Sequence, residues 1–206
     1  MESLTLFIVA SITLIITPGP DLIYVLTRSI SGGKRSGIIS AAGVTSGILV
    51  HTMAAALGLA LLLQTSTTFF WIVKIIGGVY LIYLGCQMIR TSTRISFSSQ
   101  KTYYGKRRCF LQGFLSNVLN PKVALFFVAF LPQFVGKNNS HPSFQMIFLG
   151  LAFAFMTIIF LMIVGFFAGT IGSWLKKKKS VENRIRIGSG TVLIILGLQL
   201  LIPHRR

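Results

Sequence analysis

The stretch Ile16-Thr17-Pro18-Gly19-Pro20-Asp21-Leu22 ("ITPGPDL") interrupts an apolar run that begins at Leu4 and resumes through Tyr24 to Leu26. A proline inside a helix removes a backbone donor and clashes with the carbonyl one turn earlier, costing about 3 kcal/mol or more. Two prolines, a glycine and a carboxylate in such a run need a physical reason. A second interruption, Asn120-Pro121 in "LSNVLNPK" (Leu115 to Lys122), sits in another apolar run.

Composition says what medium these runs occupy. The chain has 206 residues, 53% hydrophobic and only 11% charged, with a mean hydropathy of +0.77. Soluble domains carry about 25% charged residues. Six apolar segments stand out, roughly 4–27, 38–63, 68–89, 109–135, 144–174 and 185–203. Stretches of about 20 apolar residues are bilayer spans, so the expected fold is an all-α integral membrane protein with six transmembrane helices. Leu4 onward reads as a retained first span rather than a cleaved signal peptide, because no basic region precedes it and no small-residue cleavage site follows.

The formal charge is +17, from twenty Lys and Arg against Glu2, Asp21 and Glu182. Fifteen of the twenty lie in the connectors after the first, third and fifth segments, among them Arg28, Lys34, Arg35, Arg90, Lys106 and the run Lys176 to Lys179. Such asymmetry marks the cytoplasmic side and the anionic inner leaflet rather than nucleic acid. It predicts both termini outside, with the terminal Arg205 and Arg206 as a minor contrary signal. Cys86 and Cys109, with no His or Cys close in sequence, suggest neither a metal site nor a disulfide. Asn138-Asn139-Ser140 matches a glycosylation acceptor, a motif too short to carry weight.

An internal repeat is visible. Gly78 to Gln87 reads GVYLIYLGCQ and Gly190 to Gln199 reads GTVLIILGLQ, identical at six of ten positions. Thr17-Pro18 and Asn120-Pro121 share the rarer mid-span break, at an offset of 103 residues against 112 for the first pair. Three spans per copy is an odd number, so the second copy enters the membrane from the opposite face. The expectation is a three-plus-three inverted-topology repeat, the plan of many secondary transporters, in one domain over 1–206: repeat 1 about 1–90, a cytoplasmic connector 91–108, and repeat 2 about 109–206.

In lipid a broken helix survives only against protein or a wet cavity. Thr17 before Pro18, and Asn120 before Pro121, resemble helix starts, a capping side chain followed by proline. Pro20 to Arg28 is about 12 Å of helix and Arg108 to Asn120 about 18 Å, at ~1.5 Å per residue. In a hydrocarbon core of about 30 Å both breaks fall near the midplane. The second half-helices then present their N-termini to the centre from opposite sides, where they can hold the carboxylate of a small solute. Thr17, Pro18, Gly19, Pro20, Asp21, Asn117, Asn120, Pro121 and Lys122 are the candidate substrate-binding residues.

Asp21 is the one carboxylate within a span, and a carboxylate at that depth is functional by default. It can receive a substrate ammonium, carry a coupling proton, or pair with Lys122; helix capping is the bland alternative. His51 lies on one helical face with Gly43 and Gly47, as a proton relay or as a hydrogen bond between closely packed helices. The Gly43/Gly47 face serves internal packing and homo-oligomer formation equally well. Lys74 is expected to snorkel, and Phe69, Phe70 and Trp71 to form an interfacial belt. Tyr80 and Tyr83 line a pocket or merely pack. No cofactor or metal is implied, and three acids with His51, His141 and His204 offer no enzymatic constellation.

The chain resembles the lysine-exporter translocator family (LysE/RhtB), most closely its homoserine/threonine and leucine exporter branch. The matching stretches are "TPGPD" at 17–21, "GKRSGIISAAGVTSG" at 33–47, "YLIYLG" at 80–85, "LQGFLSNVLNPK" at 111–122, "LPQF" at 131–134 and "SGTVLIILGL" at 189–198. The connector from Thr91 to Gly105 follows no family pattern. The resemblance implies a bacterial inner-membrane exporter of amino acids or close derivatives, driven by the proton gradient. A single in-span carboxylate favours a zwitterionic substrate over a cationic one, so the partners expected are neutral or homoserine-like amino acids, protons and the lipid bilayer. Export of basic amino acids is the alternative, as is a channel or lipid-flipping protein using the same breaks.

Overall fold

The computed structural model describes residues 2–59, 67–90, 105–135, 141–177 and 179–201. Arg94, Lys101, Lys137, the Asn138-Asn139-Ser140 motif, Lys178, His204 and the Arg205-Arg206 pair lie outside them, as do the side chains of Phe69, Phe70 and Lys74. The described residues form seven α-helices: α1 (Glu2–Ile16), α2 (Pro20–Ala54), α3 (Thr67–Arg90), α4 (Lys106–Val118), α5 (Pro121–Leu125), α6 (Pro142–Lys177) and α7 (Lys179–Leu201). Pro20–Gly58, Pro142–Ala168 and the bent pair Lys106–Val118 with Pro121–Phe134 are long and apolar enough to cross a membrane; Leu4–Ile16, Ile75–Gln87 and Gly190–Gln199 are shorter apolar stretches.

Two details differ from the sequence expectation. The connector expected between 27 and 38 is helical on both sides of one residue, Gly33, with φ 82° and ψ 170°. That backbone region is essentially reserved for glycine. The chain folds back there, since Gly37 packs directly on Ser29 and on the Gly165 backbone of α6. Basic residues at a membrane surface need no loop, so Arg28, Lys34 and Arg35 ride on the helix ends. Arg28 hydrogen-bonds Gln112 of α4, and Lys34 Nζ lies 3.9 Å from the Phe166 ring centroid. Gln112 of α4 and the Gly165–Phe166 stretch of α6 therefore pack beside the Gly33 turn.

The second difference lies at the first break. The helix begins at Pro20, with Gly19 as an extended N-cap lacking any side-chain bond. Thr17 is not the cap. Its hydroxyl donates 2.6 Å back to the Thr13 carbonyl, a local bond that threonine makes readily. At the second break Asn120 is the N-cap, its side-chain oxygen accepting from the Lys122 backbone N–H at 3.0 Å, with Pro121 following. The two half-helices α4 and α5 meet at 45°. Beyond α5 the chain runs through a π-turn (Phe126–Phe130) and a 3₁₀ turn (Leu131–Phe134).

Packing is organised around two seams. α2 lies against both α4 and α6, with Val25, Leu26, Ala41, Val44, Leu161 and Val164 buried between them. α3 and α7 pair antiparallel through glycines. A methyl on Gly197 would come within 2.7 Å of the Gly78 carbonyl oxygen, and one on Gly190 within 2.9 Å of that of Gly85. The contacts are reciprocal: Gly85 faces Ile194 as Gly197 faces Ile82, and Gly78 faces Leu201 as Gly190 faces Ile89. An aromatic cluster closes the end away from Gly33. Phe126 stacks 5.1 Å from Phe130 and 5.2 Å from Phe153, and Phe7 of α1 meets Phe134 at 5.3 Å.

Candidate substrate site

The two breaks meet. α1, with 15 residues, rises about 22 Å. Pro20 to the Gly33 turn rises a similar distance of about 18 Å, so the first break lies near the middle of the path. There Asp21 crosses to the other broken helix. Its Oδ2 accepts from Asn117 Nδ2 at 2.8 Å and from Asn120 Nδ2 at 3.0 Å. Its Oδ1 is buried and has no hydrogen-bond partner among the described residues.

Lys122 makes the reverse crossing. Its ammonium donates to the carbonyls of Leu14 and Thr17, each at 3.0 Å, capping the last turn of α1 that the prolines leave open. The α4 end is treated alike. Asn117 O accepts the Asn120 N–H at 2.9 Å and lies 3.0 Å from His51 Nε2, which donates to it. A carbonyl inside a bilayer must find a donor, and one basic side chain serves each break. His51 also sits against Phe127, ring centroids 5.9 Å apart.

Asp21 and Lys122 hold the same position, the second residue of the helix after each break. Both line one cavity with Leu14, Thr17, Asn117 and Phe153. Its volume is about 20 Å³, room for roughly one water. Leu22, Ile48, Val123 and Leu161 complete an aliphatic wall. Of the residues expected to form the site, Thr17, Asp21, Asn117 and Lys122 line this cavity. Asn120 acts through Asp21, and Gly19 abuts the Lys122 ammonium, which a side chain there would crowd at 3.0 Å. α5 runs without a break into the π-turn and 3₁₀ turn that follow it. Positive charge at the second break comes from the Lys122 ammonium, beside the N-terminus of the helical stretch Pro121–Phe134.

Sequence reasoning missed Tyr24 and Arg28. Tyr24 Oη donates to the Cys109 carbonyl at 2.9 Å, and Arg28 bonds Gln112 while lying 5.2 Å from the Tyr24 ring centroid. Together with Asp21 they form a polar row on the α2 face toward α4. The spacing 21, 24, 28 on an otherwise apolar helix was the available signal.

The model of the LysE type translocator family matches residues 12–204. The chain belongs to that family. As a LysE-type translocator it is similar to the uncharacterized membrane protein YrhP of Bacillus subtilis, 29% identical over 97% of this chain and 98% of that one. An uncharacterized membrane protein of Pseudomonas aeruginosa is 27% identical over 94% of this chain and 92% of its own. A leucine efflux protein of Salmonella choleraesuis is 28% identical over 87% and 86%. No solved structure matches. This LysE-type translocator is thus a multi-pass helical membrane protein whose two broken helices place one carboxylate and one ammonium around one cavity.

Proposed function

We propose that the protein exports neutral, mainly aliphatic α-amino acids across a bacterial inner membrane, by proton antiport and alternating access. One observation carries the reading: Asp21, whose Oδ1 is buried and without a partner among the described residues, lines a cavity that Lys122 also lines. A carboxylate oxygen without a partner is costly to bury, and a substrate ammonium offsets the cost. The aliphatic wall suits leucine-like side chains, in keeping with the leucine efflux protein among its relatives. A cationic side chain would meet Lys122 and find no second carboxylate.

The architecture inferred is six spans in a three-plus-three inverted repeat that rocks about the breaks. Support comes from the reciprocal contacts between α3 and α7 and from the matched positions of Asp21 and Lys122. The basic ends are assigned to the cytoplasm and both termini to the outside. Asp21 is the proposed proton carrier, with His51 responding through the Asn117 carbonyl that it holds.

The test compares free amino acids inside cells and in the medium, with and without the gene. Neutral aliphatic amino acids should accumulate outside when it is expressed, and lysine should not. An unchanged medium, together with lipid redistribution in protein-containing vesicles lacking solute, would overturn the proposal in favour of a lipid-flipping protein.

A further inference from the structure

Asp21 and Lys122 line the same cavity, yet each is solvated by neutral groups rather than by the other. Asp21 takes two asparagine amides, and Lys122 takes two backbone carbonyls. Capping a helix end does not need a full charge; a neutral amide would satisfy the same carbonyls at a lower desolvation penalty. An ammonium has three donors, and Lys122 commits two of them to Leu14 and Thr17. Gly19 leaves the space that the ammonium occupies at the start of α2. The carbonyl end of α1 favours the cation and the start of α2 favours an anion, so an anion seated between the ammonium and α2 suits both.

We infer that Lys122 is the group that recognises the free carboxylate of the substrate, and that it does so by leaving the carbonyls of α1. The inference rests on the amino-acid reading above and deepens it. A zwitterion set between Asp21 and Lys122 neutralises both charges at once, its ammonium on Asp21 Oδ1 and its carboxylate on Lys122 Nζ. The cavity of about 20 Å³ is too small for an amino acid, so its walls, α1 and α5 among them, must part. Among the described residues, the two hydrogen bonds from Lys122 to Leu14 and Thr17 tie α5 to the end of α1. Carboxylate binding draws the ammonium away and thereby loosens the contact that must open. A solute with an ammonium but no carboxylate would occupy Asp21 and leave α1 latched.

The experiment is counterflow of labelled L-leucine into proteoliposomes holding the full chain, with unlabelled L-leucine or L-leucinamide as competitor. In the wild type the amide should compete about 10-fold more weakly, the lower end for one charge-assisted hydrogen bond. In Lys122→Gln leucine itself should weaken until the two competitors differ by about twofold at most, and Lys122→Arg should keep most of the gap. A wild type that accepts acid and amide equally, or a Lys122→Gln variant that keeps the gap, would overturn the inference while leaving amino-acid export intact. Absence of leucine counterflow in the wild type would instead strike the functional reading, and this inference with it. Should Lys122→Gln fail to fold, melting of the detergent-solubilised wild type decides. Leucine should raise the melting temperature more than leucinamide does at equal concentration, and equal stabilisation would overturn the assignment.

Discussion

Replacing Asp21 by Asn removes one charge with almost no change in shape, so its effects can be worked from the bonds that carboxylate makes. Two amide donors, Asn117 Nδ2 and Asn120 Nδ2, converge on Oδ2, while Oδ1, without a partner among the described residues, is the atom the proposal gives to a substrate ammonium. Hydrogen bonds to a charged partner contribute about 1.5–3 kcal/mol against about 1 kcal/mol for neutral ones. Losing the ammonium contact therefore weakens substrate binding by about 10- to 100-fold, taking ~1.4 kcal/mol per factor of ten. The two amide bonds each lose about 1 kcal/mol by the same comparison, which loosens the closed arrangement of α2 on α4. The assay is leucine counterflow in proteoliposomes, with and without an imposed pH gradient. The half-saturating concentration should rise by that factor, and the response to the gradient should vanish because no titratable carboxylate remains at the break. If Asp21→Asn matches the wild type in both readouts, Asp21 neither binds substrate nor carries the proton.

Other substitutions test the frame around the site. Gly33→Ala forces a β-carbon into the φ 82° turn, and should cost about 1–3 kcal/mol, read as a lower melting temperature in detergent. Gly85→Val drives side-chain atoms into the Gly190 carbonyl, which a methyl alone would meet at 2.5 Å; separation of α3 from α7 should cost over ~1 kcal/mol in thermal unfolding. Phe153→Ala removes a fully buried ring from the cavity wall. Stability should fall by about 3–5 kcal/mol, and competition assays should show a relative gain for bulkier aromatic amino acids. Tyr24→Phe deletes the bond to the Cys109 carbonyl, and should lower unfolding stability by about 1 kcal/mol.

The breaks were legible because proline in an apolar run leaves few alternatives: the chain must unwind, and in lipid it must unwind against protein. Which proline restarts the helix was not legible. Thr17-Pro18 and Gly19-Pro20 are overlapping start signals, and the choice fell to Pro20 because the Thr17 hydroxyl is satisfied within α1. In the sequence the turn at Gly33 reads as a polar connector because Arg28, Lys34 and Arg35 surround it. Charged residues at a bilayer surface are compatible with helix, and only the backbone shows that one glycine suffices. The short α5 and its π-turn depend on tertiary packing of Phe126, Phe127 and Phe130, which no local pattern encodes. Asp21 and Asn117 were expected at one site; that Lys122 reaches back to cap α1 could not be read from spacing.

The charges at the two breaks bear on what kind of solute the inferred symmetry can serve. A faithful inverted repeat places equivalent residues on either side of the centre, so equal charges there would suit a dication or a dianion. Here the break, the proline and the crossing side chain recur, but the residue after the proline is Asp21 in one half and Lys122 in the other. On the proposed inverted repeat, one charge exchanged for its opposite turns a symmetric frame into a dipolar site, whose complement is a small molecule with an ammonium at one end and a carboxylate at the other. It also explains why Asp21 and Lys122 each take neutral partners. A direct ion pair between them would satisfy both and leave little electrostatic reason for a zwitterion to enter. Two charges held apart by amides and carbonyls keep the site poised for it. Interchanging them, as Asp21→Lys with Lys122→Asp, therefore gives a specific expectation. The double variant should recover part of the leucine counterflow that each single change abolishes, with the substrate bound end for end. If the double variant is no better than the worse of the singles, the two charges do not act as the poles of one site.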